Sequence, residues 1–359
     1  MTIAFRVDAS ILIGTGHVMR CLALANYLKS LGYCCLFICR AHKGHLGAFI
    51  LSQGHQLQLL DGNEDRISGE LTPRWNSHSD WLGVHWSVDV DQSLRIIKDF
   101  CPEWLVVDHY ALDVDWEIEI KPFVKSLMVI DDLADRKHDC EFLLDQTFGR
   151  QKEDYSEIVP NHCVLLCGAQ YSLLRKEFSR WRNASLEYRE TASLNNILVN
   201  LGGVDKDDFT SSIMQSLSLC GLPDSCVITV VMGANAPWIA NVKNVAAKMP
   251  WETHVKVGVE NMAEIMSKAD LAIGAAGSTT WERCCLGLPT IQLVIAENQM
   301  FVAQSLVKAG VIKLLTKLDQ LPVLIETAPD WMSSISMQCR LITDGQGVER
   351  VVESLHMTK

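Results

Sequence analysis

The chain has 359 residues, room for two domains at about 100–200 residues each. With 48% hydrophobic and 21% charged residues, it has the composition of a globular protein with a substantial core. Its net charge of −11 argues against tracking nucleic acid or binding an anionic membrane, which need basic surface, yet leaves room for one small anion at a local site.

No stretch approaches the roughly 20 apolar residues of a membrane helix. The opening MTIAFRVDAS has neither the basic nor the apolar segment of a secretory leader, so a cytoplasmic protein is expected. The thirteen cysteines, odd in number and scattered through apolar runs such as CCLFICR, read as reduced core residues. None stands in a CxxC pair or at zinc spacing from a histidine.

In chain order, residues 3–9 (IAFRVDA) read as a strand, and residues 17–31 place Val18, Cys21, Leu22, Ala25 and Leu28 on one helical face. CCLFICR, LVVDH and LMVIDD are further short strands, and residues 61–80 read as a surface loop. The charged segment RWRNASLEYRETASLN (180–195) has no strand pattern and reads as the boundary between two halves. Past it come NILVNLGG, a helix near 209–219, CVITVVM, a helix near 236–248 and ADLAIGAAG. This alternation predicts an α/β chain of two doubly wound, Rossmann-like domains flanking a cleft. They span residues 1–185 and 190–345, with residues 346–359 a closing amphipathic helix.

Each half carries a glycine-bearing turn between strand and helix: Gly14-Thr15-Gly16 in the first, Gly274 to Gly277 before Ser278 and Thr279 in the second. Glycine permits a sharp turn and close approach to a ligand, and helix N-terminal amides attract phosphate. Ser278 and Thr279 can also cap the helix they precede. Either loop alone is equally a tight turn with no ligand, but two at strand carboxyl ends favour one. Neither matches GxGxxG or the Walker pattern. His17 follows the first loop, where the positive end of a helix favours a neutral imidazole, suited to accept a proton or merely to cap. Asp89 with Asp91, Asp113 with Asp115, and Asp131, Asp132 and Asp135 offer carboxylates at short spacing. The first two groups read as helix caps, and no metal is assigned.

Five stretches in order, FRVDASILIGTGHVMRCLALA, WLVVDHYALDVDWE, VIDDLADRKHDCEFLLDQ, YSLLRKEF and GAAGSTTWERCCLGLPTIQLVIAENQ, together resemble a known family. It is that of the UDP-2,4-diacetamido-2,4,6-trideoxy-β-L-altropyranose hydrolases of pseudaminic acid biosynthesis. GSTTWERCCLGLP alone is shared in style with the wider glycosyltransferase-B superfamily, and DASxxIGTGHVMRC sets the hydrolases apart.

The resemblance implies a glycosyltransferase-B fold and an inverting hydrolysis at the anomeric carbon, without metal or cofactor, that releases UDP and the free sugar. Its partners are the UDP-sugar, water and other enzymes of the pathway. It makes His17, in the loop Gly14, Thr15 and Gly16, the base that activates water, and Tyr110 a group that positions sugar or water. Asp108 and Arg175 become substrate contacts, though Asp108 equally reads as a cap and Arg175 as a surface ion pair. Gly277, Ser278 and Thr279 would face phosphate, Glu282 the ribose, Asn298 and Gln299 the acetamido groups, and Glu264 the uracil end. The alternative is a UDP-sugar-dependent glycosyltransferase of the same fold, which needs an acceptor site. A non-catalytic nucleotide-sugar sensor is a third reading, disfavoured by His17.

Overall fold

The computed structural model describes residues 1–62, 75–191, 193–295 and 299–356. They fall into two compact units, one of Met1–Leu173 with the chain from Val348 onward, the other Leu174–Gly347. Both are doubly wound parallel α/β layers, as the alternation of strands and helices predicts. The first holds β1 (Thr2–Val7), β2 (Cys34–Arg40), β3 (Gln56–Leu60), β4 (Trp104–Asp108), β5 (Ser126–Ile130), β6 (Phe142–Asp145) and β7 (Val164–Cys167). Their order is β3-β2-β1-β4-β5-β6-β7, parallel throughout.

Side chains along a strand alternate between faces, and this sorts both the core and the charges. Ile3, Phe5 and Val7 pack with the helix Gly16–Ser30 and with Val351 and Leu355 of the helix Gly347–His356. Ala4 looks the other way, toward Val90, Ile97 and Trp116. Arg6 and Arg40 share the parity of Ala4 and Ile38 and meet the helix Trp86–Phe100. Asp108 shares the parity of Val106 and meets the helix Gly16–Ser30.

The second unit holds β8 (Asn196–Asn200), β9 (Val227–Met232), β10 (Glu252–Val257), β11 (Leu271–Ala275), β12 (Thr290–Leu293) and β13 (Lys313–Leu315). Their order is β10-β9-β8-β11-β12-β13. In each sheet the order reverses beside the first strand, between β1 and β4 and between β8 and β11. Strand carboxyl ends splay apart at such a point and leave a crevice. The Gly14–Gly16 and Gly277–Thr279 loops emerge there.

Two local readings change. Residues 180–188, whose charge suggested a boundary, are the body of the helix Lys176–Tyr188 within the second unit. Two of the segment's arginines are consumed by backbone: Arg182 donates to Arg340 O at 2.7 Å, and Arg189 to Leu286 O at 2.9 Å and Met266 O at 2.8 Å. Asp113 caps the helix Val114–Ile120, accepting from Asp115 N at 3.2 Å, but Asp89 caps nothing. It lies one turn inside the helix Trp86–Phe100, whose N-cap is His85, because two buried arginines face it. Much of the expected surface loop, 63–74, lies outside the described residues. All thirteen cysteines are free. No helix among the described residues is long and apolar enough to cross a membrane.

Candidate active site

The loop after β1 closes on itself. Gly14 sits at φ +84°, a left-handed conformation open to glycine, and its N–H donates to Ser10 O at 2.9 Å. Ser10 Oγ accepts from the backbone of Leu12 at 3.1 Å and Ile13 at 2.9 Å. The turn fixes where the helix Gly16–Ser30 begins and places His17 in its first turn. Thr15 is the N-cap but makes no side-chain capping bond.

His17 meets a carboxylate brought from 91 residues away. Its Nδ1 lies 2.6 Å from Asp108 Oδ1. Arg20, one turn along the helix, grips the same fully buried carboxylate with Nε to Oδ2 and Nη2 to Oδ1, each 2.7 Å. Cys21 Sγ adds a contact to Oδ2 at 3.5 Å. Burial alone would raise the Asp108 pKa, but Arg20 and His17 outweigh it and hold the carboxyl well below the usual range. Asp108 is therefore an acceptor, which places the proton of a neutral His17 ring on Nδ1 and points the lone pair to Nε2. Nε2 makes no hydrogen bond among the described residues. Asp108 itself, saturated and buried, has no oxygen left for a substrate.

Tyr110 stands edge-on to His17, with ring centroids 4.7 Å apart. Its hydroxyl donates to Asp132 Oδ2 at 2.8 Å, and Asp132 also pairs with Arg20. Burial and Asp132 push the phenol pKa well up, so it stays protonated. Trp81 stacks on Tyr110 at 5.5 Å and lies 6.1 Å from His17, and His78 packs against both Trp81 and Tyr110. Arg20, Trp81 and His78 are absent from the sequence reading, and Asp132 entered it only as one of a group of neighbouring carboxylates. Arg20 carried a signal, three residues after His17 and so on the same helix face. Trp81, in a 3₁₀ turn with no motif around it, carried none.

On the opposite face of the same sheet lies a second ionic cluster, wholly buried. Arg6 forks onto Asp8 at 2.7 and 2.9 Å and onto Asp89 at 3.1 and 2.6 Å. Asp89 also accepts from Arg40, from Trp116 Nε1 at 3.1 Å and from Ser93 Oγ at 3.2 Å. Asp8 accepts the Arg40 N–H at 2.6 Å and faces His109 Nε2 at 3.2 Å. This cluster anchors the carboxyl end of β1, from which the His17 loop departs.

In the second unit, Gly277 takes φ +148°, a conformation that L side chains rarely adopt. Ser278 holds the N-cap of the helix Thr279–Cys285 without a side-chain capping bond. Glu282, mostly buried, faces Arg175 at 3.5 Å, and Arg175 also pairs with Glu177 at 3.1 Å. Burial raises the Glu282 pKa against the pull of Arg175. The structure thus brings Arg175 and Glu282 together beside the Gly277–Thr279 loop. Glu264 is on the helix Met262–Ser267, held by Lys268 at 2.7 Å and Asn261 at 2.9 Å. Gln299 Oε1 accepts from Ile295 N at 3.1 Å, and Asn298 lies outside the described residues. No group of three or more histidine, cysteine, aspartate or glutamate side chains among the described residues is arranged to hold a metal.

Solved structures match this architecture over nearly the whole chain. MurG of Acinetobacter baumannii superposes with a TM-score of 0.66 at 14% identity, covering 99% of each chain. The UDP-GlcNAc 2-epimerase of Neisseria meningitidis gives 0.62 at 12% identity, over 99% of this chain and 100% of that one. The fold is glycosyltransferase-B. Residues 224–327 match the glycosyltransferase family 28 C-terminal domain. The UDP-2,4-diacetamido-2,4,6-trideoxy-beta-L-altropyranose hydrolase of Campylobacter jejuni is 24% identical over 312 residues, 86% of this chain and 97% of that protein. The spore coat polysaccharide biosynthesis protein SpsG of Bacillus subtilis is 27% identical over 196 residues, 52% of this chain and 57% of that protein. Against SpsG the match therefore spans little more than half of either chain.

Proposed function

We propose that this glycosyltransferase-B chain hydrolyses a UDP-linked 2,4-diacetamido-2,4,6-trideoxy-L-altropyranose, with inversion and without metal. The His17–Asp108 pair carries the proposal. With Nδ1–H held by Asp108, Nε2 takes a proton from water as the water oxygen attacks C1. The C1–O bond to the β-phosphate side breaks, and its electron pair leaves with UDP. Charge on the departing UDP is met by the backbone amides around Gly277–Thr279. Tyr110 and Trp81 wall the imidazole and hold its ring plane. The resemblance of the Campylobacter hydrolase over 97% of its length supports this substrate class.

A second reading, transfer of the sugar to an acceptor, is favoured by the family 28 match at 224–327. Incubation with the UDP-sugar and EDTA but no acceptor separates the two. Release of UDP and free sugar is expected. Turnover that appears only with an acceptor makes the protein a transferase, and activity lost in EDTA and restored by Mg²⁺ overturns the metal-free mechanism.

A further inference from the structure

The second unit buries a positive charge that no carboxylate among the described residues meets in an ion pair. Arg283 is 2% exposed, and no carboxylate among the described residues lies within ion-pair distance of it. Its neighbour Glu282 pairs with Arg175 instead. The guanidinium bonds neutral acceptors only: Ala275 O at 2.9 Å, Thr280 Oγ1 at 3.2 Å, Gln292 Oε1 at 3.3 Å and, through Nη1, Thr279 Oγ1 at 3.2 Å. Its Nε has no partner. The space it occupies is kept open by Gly274, where a Cβ would lie 2.5 Å from Nη1. Burial pulls its pKa down only to about 10, so it stays charged at neutral pH.

A buried charge without an ion pair is costly. Glu282 favours that of Arg283 but is already paired with Arg175, so the positive field of Arg283 is left to attract an anion from outside the chain. The direction is set by Thr279. Because Nη1–H occupies a lone pair of Oγ1, the Thr279 hydroxyl keeps its own proton free to donate, at the first residue of the helix that follows Gly277. We infer that Arg283 is a positioning residue for a diphosphate: its charge, relayed through the Thr279 hydroxyl, makes the Gly274–Thr279 loop bind ligands in proportion to their negative charge. The inference rests on the nucleotide-sugar reading for the identity of the ligand, and on the buried arginine alone for the anion.

Titration calorimetry with uridine, UMP, UDP and inorganic pyrophosphate tests it. In Arg283→Met, UDP and pyrophosphate affinity should fall roughly tenfold or more and UMP less, with uridine nearly unchanged. Arg283→Lys should recover part of the UDP loss. Equal losses for uridine and UDP, or none, reduce Arg283 to a packing role. Should Arg283→Met not fold, Thr279→Val reads the same relay from a part-exposed position. It should weaken UDP and pyrophosphate but not uridine, and unchanged UDP affinity there overturns the inference. Wild-type protein that binds pyrophosphate but not UDP would leave this anion site standing and remove the nucleotide reading. Wild type that binds neither removes the anion site.

Discussion

Both units bury arginines, and they treat them in opposite ways. In the first, Arg6, Arg20 and Arg40 each face aspartates, which sheet parity and the helix Trp86–Phe100 bring opposite them. Burial opposes the charge of Arg6 and Arg20, yet the paired carboxylates outweigh it and raise both pKa values. In the second, Arg189 and Arg283 are cupped by carbonyl and hydroxyl oxygens, and burial pulls both down to about 10. Paired charges are electrostatically closed and serve to hold geometry, here the tautomer of His17. On the proposed reading, the first unit positions a base, and the charge of Arg283 in the second attracts an anion.

The closed half should break hardest. His17→Asn keeps a polar helix start but accepts no proton, so turnover should fall by about 10²–10⁴-fold with UDP-sugar binding intact. Asp108→Asn should give a loss of the same order by releasing the tautomer. Near-normal kcat in a folded His17→Asn protein would remove it from the chemistry. Asp89→Ala strips Arg40 of its carboxylate and Arg6 of one of two, and should cost about 3–5 kcal/mol in urea unfolding. A shift below about 1 kcal/mol would mean that the cluster is not what anchors β1.

The open half should respond in affinity rather than stability. Glu282→Ala should weaken UDP by about 1.5–3 kcal/mol in titration calorimetry if its carboxylate bonds the ribose. Unchanged affinity would place Glu282 outside the site and leave it a partner of Arg175. The smallest effect belongs to His138, buried in the first unit with Nδ1 2.6 Å from Glu117 Oε1. Burial disfavours its charge, but Glu117 prevails and holds the pKa above the ordinary value. Its stabilisation is therefore complete below about pH 6.5 and lost as pH rises through the higher folded value. The urea midpoint should decline over that window in wild type and not in His138→Gln. A midpoint that is flat in both proteins would show the pair to be neutral.

The sequence by itself determined the two parallel sheets, because short apolar runs and helical-period segments are local signals that survive without a fold. It also placed both glycine turns and put His17 in a first helical turn, since glycine and helix-start chemistry act over a few residues. Aspartates and arginines gave no such signal. Asp89 looked like a cap and residues 180–195 like a solvated boundary, because a charge reads as exposed until its partner is known. What joined Asp108 to His17 and Asp89 to Arg6, across 91 and 83 residues, was the strand order and face that pack a helix against them, and what joined Arg175 to Glu282, across 107, was the meeting of two helices. Only tertiary structure decided which charges meet an opposite charge within the chain and which meet neutral oxygens alone. Local sequence fixes where a side chain lies on its own strand or helix, while the sheet's winding fixes what stands opposite.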